Sequence, residues 1–273
     1  MTTKVVLLGT GTPNPDPRKA GPSVAVIVDE SVYLVDFGPG VVRRAMEAGL
    51  RCPQLTLAFL THLHSDHTVG YPDLIFTPAV MNRNGPLNVH GPRGIQSMTD
   101  HIFSAYREDI RERIEGLEPA VPEAYAVNVN EIPDDGTKIL FQDDTVSVEA
   151  FPVVHGSWPA FGFKFATPDK TIVISGDTAP SSNLIEKSKN CDILVHEVYS
   201  AVALESRPSN WKKYHTSVHT STIELADIAR QVKPKLLVLY HQLTGSQTNE
   251  GLLSEVTERY DGDIVSGEDL DVF

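Results

Sequence analysis

The stretch Thr61-His62-Leu63-His64-Ser65-Asp66-His67 decides how the rest of the chain is read. Three histidines and an aspartate fall close together, so imidazole nitrogens and a hard carboxylate oxygen can share metal ions of the zinc class. The apolar run Leu55-Thr56-Leu57-Ala58-Phe59-Leu60 ahead of it predicts a buried strand. The donors therefore emerge where a strand stops, which is where open α/β sheets bind ligands. His62 and His64, two apart on an extended segment, face the same way, whereas the neighbours Asp66 and His67 diverge. That pattern suits two ions better than one. The competing reading is a polar loop whose histidines only satisfy backbone groups, but histidine is not a usual loop residue.

Outward from this stretch, composition limits what the rest can be. With 273 residues, 41% hydrophobic and 22% charged, the chain is globular and long enough for a large core. Cys52 and Cys191 lie far apart without a C-x-x-C pair, which fits a reducing compartment and turns the search for metal ligands to His and Asp. The N-terminal apolar run is too short for a signal peptide and no stretch approaches membrane-spanning length, so a cytoplasmic chain with no membrane partner is expected. A formal charge of −13 disfavours a large nucleic-acid partner, while leaving one open, because bound metal ions still attract an anion locally. A small anionic substrate is expected.

Further candidate ligands recur at the ends of apolar runs. Lys4 to Gly9 predicts a strand, followed by the turn-rich Thr10-Gly11-Thr12-Pro13. That loop lacks a G-K-[ST] ending, and its prolines forbid a helix opening, so it reads as structural rather than nucleotide-binding. Ser23 to Val28 and Val32 to Asp36 predict a hairpin, and Val41 to Ala48 a helix with Val42, Ala45 and Met46 on its apolar face. Asp36 either hydrogen-bonds a ligand histidine or caps a loop. Pro72 to Met81 predicts a short helix and Ile95 to Ile114 one long amphipathic helix; His90 and His101 lack companions at ligand spacing and read as structural. Strands over 146–154, 171–175, 191–195 and 236–240 run into His155, Gly176-Asp177-Thr178, His196-Glu197 and His241. Each is weak alone; together with residues 62 to 67 they supply donors for two metals.

The H-L-H-S-D-H stretch, the lone His155, S-G-D-T around Asp177 and the final His241 occur in an order that resembles the metallo-β-lactamase superfamily. The resemblance implies an α/β fold, a four-layer αβ/βα sandwich of two mixed sheets flanked by helices. It implies a single domain of two similar halves, about 1–150 and 151–273. It also implies two Zn²⁺ per chain, with Mn²⁺ or Fe²⁺ as alternatives. His62, His64 and His155 resemble the first metal's ligands, Asp66, His67 and His241 the second's, and Asp177 the bridge.

His196-Glu197-Val198-Tyr199 and His219-Thr220-Ser221 are similar to paired segments of the ribonuclease Z branch. There, a glutamate and a histidine supply a proton to the leaving group, which places Glu197 and His219 in that role and Asp66 as the residue that orients a metal-activated hydroxide. His215, four residues earlier, reads as a loop histidine, and Trp158 as a wall for an aromatic leaving group or an ordinary half-buried aromatic. Only 22 positions separate His155 from Asp177, too few for the arm with which ribonuclease Z grips tRNA. The Gly9–Pro22 loop, the Gly91-Pro92 turn and the Tyr240-His241 ending are similar instead to the arylsulfatase-type subgroup. The expected function is thus zinc-dependent hydrolysis of a small phosphate or sulfate ester by a homo-oligomer, a dimer. A tRNA 3′-processing endonuclease and a lactonase or β-lactamase are the alternatives.

Overall fold

The computed structural model describes residues 1–273 and divides into two compact units, Thr2–Pro133 with Asp269–Phe273, and Asp134–Glu268 with Met1. In the first unit, β1 (Thr3–Gly9), β2 (Ser23–Val28) and β3 (Ser31–Val35) pair antiparallel, while β3, β4 (Leu57–Phe59), β5 (Leu87–Pro92) and β6 (Val127–Ile132) pair parallel. The helices of this unit are α1 (Val41–Glu47), α2 (Ser65–Thr68), α3 (Tyr71–Val80), α4 (Ile95–Ala105) and α5 (Arg107–Glu115). One core joins Leu8, Leu34, Ala58 and Val89 of the strands to Val42, Leu74, Ile75 and Ile95 of the helices.

The second unit repeats this mixture in its own sheet. β7 (Lys138–Gln142), β8 (Ser147–Pro152), β9 (Phe161–Ala166) and β10 (Thr171–Ile174) are antiparallel. β10, β11 (Ile193–Tyr199), β12 (Leu236–Leu243) and β13 (Ile264–Ser266) are parallel. Its helices are α6 (Ser182–Ser188), α7 (Ala201–Glu205), α8 (Ser209–Val218), α9 (Thr222–Val232) and α10 (Asn249–Thr257). α9 lays Leu225, Ala226, Ile228, Ala229 and Val232 onto Leu194, Val198 and Leu237, the one-sided stripe of a helix on a sheet. The α/β class and the two mixed sheets flanked by helices are as the sequence led us to expect.

Several local expectations are corrected. The predicted helix over 95–114 is two helices with a turn at Tyr106, whose ring rests on Phe76 at 4.7 Å. α4 buries Ile95 and Thr99, whereas α5 fully buries no residue and rests on the core through the partly buried Ile110. Met46, placed on the apolar face of α1, is exposed, and Val41 is buried instead. His215 lies in α8 rather than in a loop. β11 does not stop before His196 and Glu197 but runs through both, and both are buried. β12 likewise continues past His241 to Leu243.

α3 shows how a local defect is made good. Pro78 cannot donate to the carbonyl of Leu74, and the buried Arg83 guanidinium donates to it at 3.0 Å, to Ile75 O at 3.2 Å and to Ala124 O. No helix is long and apolar enough to cross a membrane.

Candidate metal sites

Parallel pairing sets up the histidine stretch in the first unit. Val35 of β3 lies beside Phe59 of β4, so Asp36 and the residues after β4 leave the sheet at the same edge. The Thr61 N–H, instead of continuing the ladder, donates to Asp36 Oδ1 at 2.8 Å, and the chain turns away. Two glycines then let the segments touch. A Cβ on Gly70 would lie 2.2 Å from the Gly38 carbonyl oxygen, and one on Gly38 would lie 2.6 Å from the Asp66 carbonyl oxygen. The Phe37 N–H donates to His67 O at 3.0 Å and Gly70 N–H to Phe37 O at 2.9 Å, which fixes α2 and with it Asp66 and His67.

Hydrogen bonds assign the ring nitrogens. The Thr61 hydroxyl donates to the Asp36 carboxylate at 2.9 Å, so its oxygen is left to accept from His62 Nδ1 at 2.9 Å. His67 Nδ1 donates to Asp36 Oδ2 at 2.8 Å. Both imidazoles thereby carry their proton on Nδ1 and keep the Nε2 lone pair for a ligand. His64 Nδ1 comes within 3.0 Å of His62 Nε2. Two ligands at about 2.0 Å from one tetrahedral zinc are roughly 3.3 Å apart, so this pair has the bite of a shared ion. Asp66 Oδ2 is 3.6 Å from His67 Nε2: these neighbours converge rather than diverge, because they sit in a helical turn and not on an extended segment.

The second unit brings its own candidates together. His155 Nδ1 donates to the Val218 carbonyl at 2.7 Å, again directing Nε2 outward for a ligand. Asp177, three residues beyond β10, reaches His241 Nδ1 with Oδ1 at 3.6 Å and His219 Nδ1 with Oδ2 at 3.9 Å. His241 sits at a bulge: Glu197 pairs with Tyr240 and Val198 with Gln242, so one extra residue of β12 is accommodated there with φ +44. A bulge of this kind re-aims a side chain that strand alternation would send elsewhere. The nitrogen-rich, thiolate-free donor set in both units fits zinc-class ions, and both cysteines are buried away from it.

Glu197 lies within β11, wholly buried, with Oε1 3.4 Å from His219 Nδ1. The same oxygen accepts the backbone N–H groups of Thr220 at 2.9 Å and Thr178 at 3.2 Å. Burial pushes the carboxyl upward in pKa, and the His219 imidazole beside it works in the opposite direction. His196, its neighbour, is held down to about 4 by burial and donates Nδ1 to the Glu197 carbonyl, so it is a neutral structural residue. Ser221 caps α9 in a reciprocal box with Glu224, which fixes the turn that carries His219. Of the predicted site residues, the first unit supplies His62, His64, Asp66 and His67, and the second supplies His155, Asp177, Glu197, His219 and His241. The role of Asp36, left open by the sequence, is that of the carboxylate that orders Thr61 and His67. The glycine loop is structural: a Cβ on Gly9 would lie 2.1 Å from Gly21 O and one on Gly11 2.5 Å from Ala20 O.

Comparison with known proteins adds four findings. Residues 32–242 match a family model described as a beta-lactamase superfamily domain. A protein of Mycolicibacterium gilvum named ribonuclease Z is 32% identical over 276 residues, spanning 98% of this chain and 94% of its own. Among solved structures, a metallo-beta-lactamase fold protein of Bacillus subtilis superposes with TM-score 0.76 at 17% identity over the whole of both chains. The short form of human tRNase Z superposes with TM-score 0.74 at 22% identity, over 99% of this chain and 98% of that one.

Proposed function

The chain belongs to the beta-lactamase superfamily and is a metal-dependent hydrolase of metallo-β-lactamase fold, and from that premise we propose that it hydrolyses phosphodiesters in the manner of ribonuclease Z, with an RNA 3′ end as substrate. The observation that carries the reading is the Glu197–His219 pair at 3.4 Å, a proton source that hydrolysis of a poor leaving group needs. Its support is the ribonuclease Z name of relatives alike over nearly the whole chain. We assign two zinc-class ions to the chain, one held by His62, His64 and His155, the other by Asp66, His67 and His241, with Asp177 shared.

Such ions, when bound, lower the pKa of water to about 7 and stabilise the negative charge that builds on phosphoryl oxygens. The protein does the rest. Asp66 orients the attacking water. His219 gives the proton on Nε2 to the departing oxygen, while Glu197 Oε1 faces Nδ1 and favours the imidazolium. Asp36 keeps His67 in the tautomer whose Nε2 is a ligand.

A second reading, a small phosphate or sulfate ester as substrate, is favoured by one observation. β9 and β10 form a tight antiparallel hairpin with Ala166 opposite Thr171, so no tRNA-gripping arm is inserted between His155 and Asp177. The test is an assay of the metal-reconstituted chain on precursor tRNA with a 3′ trailer, para-nitrophenyl phosphodiesters, nitrophenyl sulfate and a lactone. Trailer removal supports the first reading. Turnover of small phosphate or sulfate esters with intact precursor supports the second, and turnover of the lactone alone contradicts both.

A further inference from the structure

The exposed face of α8 carries aromatic residues that the proposed chemistry does not use. Trp211 is 49% exposed and Tyr214 is 43% exposed, an unusual cost for large rings on the surface of one short helix. They lie one turn apart with ring centroids 5.8 Å apart, nearly perpendicular. The series continues inward: Trp211 is 5.9 Å from the His215 ring, and His215 and Tyr214 are 5.7 and 6.2 Å from His219. His215 is a flat neutral ring, since burial first and then the positive charges of His219 and Arg207 hold its pKa down to about 4. One cation acts on this row: Arg207 is exposed and its charge reaches His215, whereas Lys212 is tied to Glu205 at 3.3 Å. In a chain of net charge −13, a row of exposed aromatic rings with Arg207 near its inner end, leading to the proposed proton donor, matches a nucleobase and its phosphate.

We propose that Trp211 and Tyr214 form a stacking platform for a nucleobase flanking the scissile phosphate, so that this face of α8 selects nucleotide esters over esters that lack a base. The proposal rests on the phosphodiesterase reading above for its substrate class. Aromatic stacking is tolerant of base identity, so the platform recognises single-stranded RNA without reading its sequence. Tyr214, closer to His219, takes the base next to the reacting phosphate, and Trp211, its ring turned nearly perpendicular, offers its own face to the next base outward.

Two measurements test it. In the first, the metal-reconstituted chain hydrolyses thymidine para-nitrophenyl phosphate and methyl para-nitrophenyl phosphate, which share a leaving group and differ by the nucleoside. The KM for the thymidine ester is expected to be lower by about 5- to 100-fold, the range of one stacked base. That preference should collapse in Trp211→Ala, weaken in Tyr214→Ala and persist in Trp211→Phe. An unchanged preference in Trp211→Ala overturns the platform and leaves the esterase reading intact.

The second measurement needs no turnover. The chain has two tryptophans, so in a Trp158→Phe background Trp211 is the only fluorophore of its kind. Single-stranded oligouridylate should quench it with saturation, and an abasic oligomer of equal length should not. If the chain hydrolyses neither ester, saturable quenching upholds the platform and removes only the esterase reading, while equal quenching by both oligomers, or none, overturns the platform. Conversion of a dimer to a monomer by Trp211→Ala in sedimentation would assign the face to a second copy of the chain and also overturn it.

Discussion

Asp36 is the residue on which the first unit's donors depend. It is buried, sits at φ +62, and accepts from the Thr61 N–H, the Thr61 hydroxyl and His67 Nδ1. Asp36→Asn keeps the shape but removes the acceptor that fixes the His67 tautomer, and zinc affinity measured by competition with a chelator should fall by about 10- to 100-fold. An unchanged affinity would mean that the orientation of His67 does not depend on the carboxylate. His219 makes a different kind of prediction. His219→Ala should slow alkyl phosphodiesters by about 100- to 10,000-fold and nitrophenyl esters slightly, because only a poor leaving group needs the proton. Metal content should stay the same; equal losses on both substrate types, or loss of metal, would make His219 a ligand or structural residue. At this scale the residue types were legible in sequence, because histidines and an aspartate crowded into residues 62 to 67 are the donor types that zinc-class ions take. What each ring nitrogen faces was not, since Asp36 meets His67 across 31 positions and His155 meets the Val218 carbonyl across 63.

Among the elements, the short α2 shows that small residues can decide a site. Gly70 has an ordinary φ of −78, so it is required for space and not for backbone freedom. Gly70→Ala would drive a methyl into the Gly38 carbonyl oxygen, and should cost roughly 1–3 kcal/mol of stability in urea denaturation with weakened metal binding. A neutral result would show that the 37–40 and 65–70 segments can part without consequence. Strand positions could be read from sequence where an apolar run is bounded by turn residues, as in β2 and β3. Their ends could not. β11 carries the polar pair His196-Glu197 inside a buried strand, because Thr178 and Thr220 supply backbone donors to the glutamate from distant turns. The bulge at His241 leaves no mark in hydrophobic period, since it arises from the register against β11.

Each unit of the whole molecule owns a core, and each core buries one cysteine. Burial pushes the Cys191 thiol up to about 12, with Asp192 adding to it, and raises Cys52 as well. The native chain should therefore react with no equivalent of a thiol reagent at pH 8 and with two in guanidinium; fast labelling of the native chain would show that a core opens. The C-terminal segment returns to the first unit, where Asp269 accepts from Thr10 and Ala20 and pairs with Arg44 at 3.3 Å, a closure that no local pattern in the sequence could reveal. The proposal of two ions per chain, with seven His and Asp residues as their ligands, is the centre of the proposed chemistry. Its most direct test is a titration of chelator-stripped protein with zinc, following phosphodiester hydrolysis and bound metal together. Activity that rises to a plateau at about two zinc ions per chain, and is lost with Asp177→Ala while the fold persists, is the predicted result; a plateau at one ion, or full activity in metal-free protein, would contradict it.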